Sequence, residues 1–285
     1  MKPIFESSIR YGSPEHKANP FIIVQIDGQR FKMLLDTGSN RHVMWDARLT
    51  KGKTAAGGGA EVLIAIASST QARSRLLEIE DAGGRRIKQS FYVIDETPLM
   101  ADGFSGILSP QYLADDKVSI LNFKDDCFFV SDRFEPVANG KFRIADGKAL
   151  PNRHRVMAIP LGVHNARIPV IVDSGAQTTS LPRALIKGGR PGRRSPPTTD
   201  LLGVEVVSDP LTKQVDLSLN GEILPRHPVA SRAVPVEGGV ASLGAIGMDI
   251  LRNKIVFHDD DRCRFALLEP INAAGTDPAT VQEHS

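Results

Sequence analysis

The chain has 285 residues, 41% of them apolar and 24% charged, the balance of a folded globular protein rather than of a disordered or collagen-like chain. Lysine plus arginine exceed aspartate plus glutamate by only 35 − 33 = 2, so no strong overall field selects nucleic acid or an acidic membrane as partner. Two cysteines exclude a disulfide framework, and no stretch reaches the roughly 20 apolar residues of a membrane-spanning helix.

In chain order, residues 1–20 read as an N-terminal extension without the apolar core of a secretory signal, so the expected compartment is the cytoplasm. An apolar run, Phe21 to Ile26, meets the hairpin dipeptide Asp27-Gly28 and a second run, Phe31 to Leu35, which ends at Asp36. Val43-Met44-Trp45 follows, with Trp45 expected to pack behind the Asp36 loop, then short strands at Val62 to Ile66 and Ile87 to Ile94. Phe104 to Leu108 leads into a short helix over 109–115 and two strands, Val118 to Phe123 and Cys127-Phe128-Phe129, joined by an acidic turn. The polar stretch 139–152 marks a boundary between a first lobe, 21–145, and a second, 146–271.

The second lobe repeats the order. Val156 to Leu161, a looser turn over 162–165 and Ile168 to Val172 lead to Asp173, and Ser180-Leu181-Pro182 and a helix over 182–187 follow. Arg190 to Pro197 reads as an exposed flexible loop, and Val215 to Leu219 ends at a second hairpin dipeptide, Asn220-Gly221. Ala245 to Leu251, with a helix over 248–252, precedes another strand, acidic turn and strand over 254–265. From about Asn272 the apolar content is too low to pack, and a disordered tail is expected.

The two aspartates stand close to half the chain apart (173 − 36 = 137). Gly106 trails the first by a gap (106 − 36 = 70) close to the one by which Gly247 trails the second (247 − 173 = 74). A lone Asp-(Thr/Ser)-Gly is most simply a β-turn after a strand. Two copies, each delivered by an apolar strand at the same place in a duplicated unit, predict instead that both acids meet where the lobes pack. Carboxyls roughly 3 Å apart cannot both ionise, so such a site holds one shared proton and can act as acid and base at once. Gly38 and Gly175 let the loops approach each other, and the hydroxyls of Thr37 and Ser174 are placed to hydrogen-bond across the lobes.

Leu34-Leu35-Asp36-Thr37-Gly38-Ser39, Asp173-Ser174-Gly175-Ala176, Phe104-Ser105-Gly106-Ile107-Leu108 and Ile246-Gly247-Met248-Asp249, spread over residues 20 to 268, resemble the motifs of a bilobal aspartic peptidase. The lobe size is similar to pepsin-like enzymes and the motif wording to retropepsin-like ones. The resemblance implies an all-β fold of two related β-barrel-like lobes about a pseudo-twofold axis, with few short helices. It also implies a hydrolase in which Asp36 and Asp173 activate water for proteolysis. The substrate would be a peptide or protein bound as an extended strand, processed at specific sites by a monomer with no cofactor, metal, nucleic acid or membrane. A peptide-binding module without catalysis is the alternative on the same fold, and a latent form with the N-terminal segment in the cleft is a further one.

The cleft-covering hairpin of pepsin-like enzymes maps to Val62–Leu77, with Ile66 or Ala67 near the usual Tyr position and Ser68, Ser69 and Thr70 at its tip. No Tyr stands there. Ser39 keeps a hydroxyl beside the first loop while Ala176 has none beside the second; with fewer bonds to stabilise charge, an optimum nearer neutral than that of gastric enzymes is expected. Cys127 and Cys263 read as reduced thiols at equivalent places in the two lobes, His42 as a surface residue, and Gly57-Gly58-Gly59 as a flexible loop lacking the context of a phosphate site.

Overall fold

Two-residue turns set the strand pairing. In the computed structural model, Asp27 and Gly28 both take positive φ, as do Asn220 and Gly221, and each pair closes an antiparallel hairpin. The structure describes residues 3–46, 60–65, 68–95, 97–132, 134–136, 142–151, 156–194, 197–206, 208–232 and 244–270. The tail beyond 270, Gly57-Gly58-Gly59, Ile66 and Ala67 lie outside the described residues.

The first half contributes β1 (Pro3–Ser8), β2 (Arg10–Ser13), β3 (Ala18–Ile26), β4 (Gln29–Leu35), β5 (His42–Met44) and β6 (Ala60–Ile64). It continues with β7 (Ser69–Glu80), β8 (Arg86–Val93), β9 (Gly106–Leu108), helix α1 (Pro110–Ala114), β10 (Val118–Asn122) and β11 (Cys127–Ser131). The second half contributes β12 (Phe142–Lys148), β13 (Ala158–Val163), β14 (Ala166–Val172), β15 (Ser180–Pro182), helix α2 (Arg183–Ile186) and β16 (Arg190–Arg194). β17 (Leu211–Leu219), β18 (Glu222–Arg232), β19 (Ala245–Ile246), helix α3 (Met248–Leu251), β20 (Ile255–Asp259) and β21 (Arg264–Pro270) complete it. The protein is thus mostly β, in two lobes with several sheets.

An eight-stranded sheet, β2-β3-β4-β9-β5-β8-β7-β6, builds the first lobe, and a seven-stranded sheet, β13-β14-β19-β15-β18-β17-β16, builds the second. A six-stranded sheet, β1-β11-β10-β20-β21-β12, takes three strands from each half and joins them. At its centre β10 pairs antiparallel with β20, and Ile120 faces Phe257. Their separation along the chain, 257 − 120 = 137, equals that of the aspartates, so the two strands occupy matching places in the two halves. One apolar core runs through both halves, from Phe5, Phe31 and Phe128 to Leu161, Val172 and Phe265, and burying each such side chain is worth about 1.5–3 kcal/mol. Trp45 is buried in a second cluster with Leu34 and Phe104, and its Nε1 donates to the Phe104 carbonyl at 2.7 Å.

Three segments differ from their sequence reading. The segment read as an N-terminal extension is structural: β1 pairs with β11 and β2 with β3. Asp81, buried and held by Arg85, accepts the Glu6 N–H at 2.8 Å and so ties β1 to the first lobe. All of β12, which spans the expected boundary, pairs with β21 in the sheet that joins the halves. The turn after β13 is tight: Val163 pairs with Ala166 and His164 takes φ 52°. The segment from Arg190 is edge strand β16 on β17; its arginines guard an exposed edge, and Pro191 is tolerated there because one side of an edge strand needs no donor.

Helices fall within 109–115, 182–187 and 248–252 as expected, and none among the described residues is long and apolar enough to cross a membrane. Cys127 and Cys263 are free, half-buried thiols.

Candidate active site

β4 and β14 are sequence mates, with starts offset by the same 166 − 29 = 137, and each runs to an aspartate at its C-terminal end. β9 lies parallel beside β4 and β19 beside β14. The Asp36 N–H donates to the Leu108 carbonyl at 3.1 Å, and the Asp173 N–H to the Ile246 carbonyl at 2.9 Å. The trailing glycine motifs therefore hold the strands that aim the two acids.

Four bonds lock the loops together across the axis. Thr37 Oγ1 donates to the Val172 carbonyl at 2.7 Å and accepts the Ser174 N–H at 2.9 Å. Ser174 Oγ donates to the Leu35 carbonyl at 2.7 Å and accepts the Thr37 N–H at 3.0 Å. Both hydroxyls are buried, so each bond replaces one that water cannot make. A methyl group on Gly38 would stand 2.7 Å from the Asp173 carboxyl carbon, and one on Gly175 would stand 3.0 Å from that of Asp36. Only glycine lets each loop pass so close to the other's acid.

Each carboxyl therefore lies against the glycine of the opposite loop, close enough for Asp36 to feel the charge of Asp173, and both residues are only half-buried. Desolvation and then the Asp173 charge hold Asp36 well above the ordinary carboxylate range, against N–H bonds from Gly38 and Ser39 that pull the other way. Desolvation also raises Asp173, opposed first by the positive charge of Arg232 and then by the Ala176 N–H.

Ser39 plays a different part from the one expected. Its hydroxyl donates to the Arg41 carbonyl at 2.8 Å, away from the Asp36 carboxyl. Ala176 contributes its N–H, which donates to Asp173 Oδ1 at 3.0 Å.

Two supporting residues escaped the sequence reading. In α1, Gln111 Nε2 donates to the carbonyls of Thr37 at 2.9 Å and Ser39 at 2.8 Å. At the matching place in α3 (249 − 111 = 138), Asp249 accepts the Thr179 N–H and, at 2.8 Å, the Thr179 hydroxyl, with His227 Nε2 3.0 Å away. The Met-Asp part of the second motif carried a signal for Asp249; nothing local marked Gln111.

His42 is fully buried rather than on the surface, between the rings of Phe91 and Tyr112. Its Nδ1 accepts the Ser109 N–H at 3.0 Å, and burial pushes its pKa down to about 3, so it is a neutral packing residue.

The hairpin β6–β7 turns over residues 65–68, with the Ala65 N–H on the Ser68 carbonyl. Ser69 and Thr70 are the first residues of β7 rather than the tip, because Ile64 pairs with Ser69 and leaves only four residues for the turn. Among the described residues none of this hairpin bonds to Asp36 or Asp173. Ser68 Oγ instead donates to the Asp200 carboxylate, in the second half of the chain. Leu201 and Leu202 beside it pack on the Trp45 cluster, so this hairpin is tied across to the other lobe.

No protein-family model matches the chain, and no curated protein matches it in sequence. Among the described residues no three His, Cys, Asp or Glu side chains are grouped to hold a metal ion.

Proposed function

We propose that this protein is an aspartic endopeptidase of pepsin-like bilobal architecture, with Asp36 and Asp173 as its catalytic pair. The observation that carries the reading is the packing of each acid against the glycine of the opposite loop, with four hydrogen bonds locking the two loops together. Two carboxyls held close together cost stability and persist where the shared proton has a use.

The chemistry follows from one proton on two acids. Ionised Asp173 takes a proton from water as the water oxygen attacks the peptide carbonyl carbon, and protonated Asp36 gives its proton to the carbonyl oxygen. A gem-diol forms, and the proton has changed sides. Asp173 then protonates the peptide nitrogen, the carbon–nitrogen bond breaks, and Asp36 recovers a proton from one diol hydroxyl. The pair ends as it began, so turnover needs neither a protein nucleophile nor a cofactor. The four inter-loop bonds supply the rigidity that keeps the carboxyls aligned through both steps.

The test compares wild type with Asp36→Asn on a broad peptide library between pH 4 and 7, with products read by mass spectrometry. Cleavage by wild type alone, blocked by a statine-type mimic of the gem-diol, supports the reading. Binding of peptides without cleavage at any pH replaces it with a silent peptide-binding module.

A further inference from the structure

β18 ends at Arg232, which lies in register with Pro182 of β15, on the strand that continues from the Asp173 loop. Ala230, two residues earlier, bonds its N–H to the Thr179 carbonyl, so this end of β18 is fastened directly to that loop. Arg232 is half-buried. Its guanidinium carries five N–H donors, yet among the described residues its one side-chain hydrogen bond is a long one, from Nη2 to Thr198 Oγ1 at 3.4 Å. Nε is fully buried and has no partner among them.

The nearby negative groups do not answer this need. Arg232 feels the charges of Asp173 and Asp249 but closes a salt bridge with neither. Asp249 is saturated by Thr179, His227 and the Ile250 N–H. Asp173 accepts the Ala176 N–H. A half-buried guanidinium with donors to spare and no carboxylate partner among the described residues is poised for an anion that arrives from outside.

We infer that Arg232 is a substrate-recognition residue that binds a carboxylate of the peptide, either an acidic side chain near the scissile bond or a free C-terminus. Both sources present the same planar pair of oxygens to the guanidinium fork. The inference rests on the peptidase reading for the position of the scissile bond, but the anion site stands or falls by binding alone.

The probes are fluorescein-labelled octapeptides in which each position in turn is Glu or Gln, each made with a free and with an amidated C-terminus. Fluorescence polarisation measures their binding to full-length Asp36→Asn and to the double variant Asp36→Asn/Arg232→Gln, with circular dichroism as the folding control. At one or more positions, or with the free terminus, the charged peptide should bind about tenfold or more tighter than its neutral twin. That gap should close with Arg232→Gln, while neutral peptides keep their affinity. Arg232→Lys, which keeps the charge and loses the fork, should leave an intermediate gap and serves if the Gln variant does not fold. A gap confined to the free-terminus series assigns the C-terminal carboxylate; one that tracks Glu assigns a side chain. Equal affinity for charged and neutral peptides, a gap that survives Arg232→Gln, or no peptide binding at all overturns the inference. A gap that closes as expected in a protein whose wild type cleaves nothing sinks the peptidase reading and leaves the anion site standing.

Discussion

The two aspartate loops share one backbone and differ in what stands behind it. On each side a hydroxyl at the residue after the acid makes the same two bonds to the opposite loop. Behind the first loop sits a neutral amide, Gln111; behind the second sit a carboxylate, Asp249, with His227, and the cation Arg232. Duplication thus built a symmetric frame, and the layer of side chains one step further out broke the symmetry. In the proposed reaction one acid and one base must come from two identical carboxyls, and this outer layer is where the two sides differ.

The strongest way to break the comparison is to remove either acid. Asp36→Asn and Asp173→Asn should each lower kcat on a cleaved peptide by about a thousandfold or more, the scale of losing general acid–base catalysis. A variant of either that keeps a tenth of the activity would show that the two carboxyls do not act as a pair.

Symmetry of the frame is sharpened by Thr37→Ala and Ser174→Ala. Each strands one backbone N–H and one carbonyl in a buried place, so each should cost about 2–4 kcal/mol in denaturant unfolding. The two losses should agree within about 1 kcal/mol, since the bonds they remove are mates.

Asymmetry of the outer layer predicts unequal losses. Gln111→Ala removes two hydrogen bonds to neutral carbonyls and should cost about 1–2 kcal/mol. Asp249→Ala leaves the Thr179 N–H, its hydroxyl and His227 without their common acceptor and should cost about 3 kcal/mol or more in the same assay.

The smallest effect is in pH. Asp36 is raised in the folded state relative to about 3.9 in the unfolded chain. The native state therefore holds that proton more tightly, and the stability this lends is complete below about pH 4 and lost as pH rises through the raised value. Asp36→Asn cannot ionise and escapes the loss. Its melting temperature should exceed that of wild type by about 3 °C or more at pH 7, with a smaller difference at pH 4. The same shift keeps the singly protonated pair populated towards neutrality, so the falling limb of a pH–rate profile should lie above about pH 6.

What could be read from the chain was what local spacing encodes. The recurrence of the aspartate loop in each half, the Asp-Gly and Asn-Gly turns, the apolar strands ending at Asp36 and Asp173, and three short helices are all written within short stretches of chain. The cross-loop roles of Thr37 and Ser174 followed, because a duplicated unit must pack its copies about an axis. Closure of the chain decided the rest. β1 reads as a tail until β11, far along the chain, gives it a partner. His42 reads as a surface residue until Phe91 and Tyr112 enclose it. Arg232 is remote in sequence from Asp173, whose charge it favours (232 − 173 = 59), and Gln111 from Asp36, whose loop it props (111 − 36 = 75). Short-range pattern determines which segments form and how they turn; burial and charge depend on who arrives from far along the chain, and only the packed structure settles that.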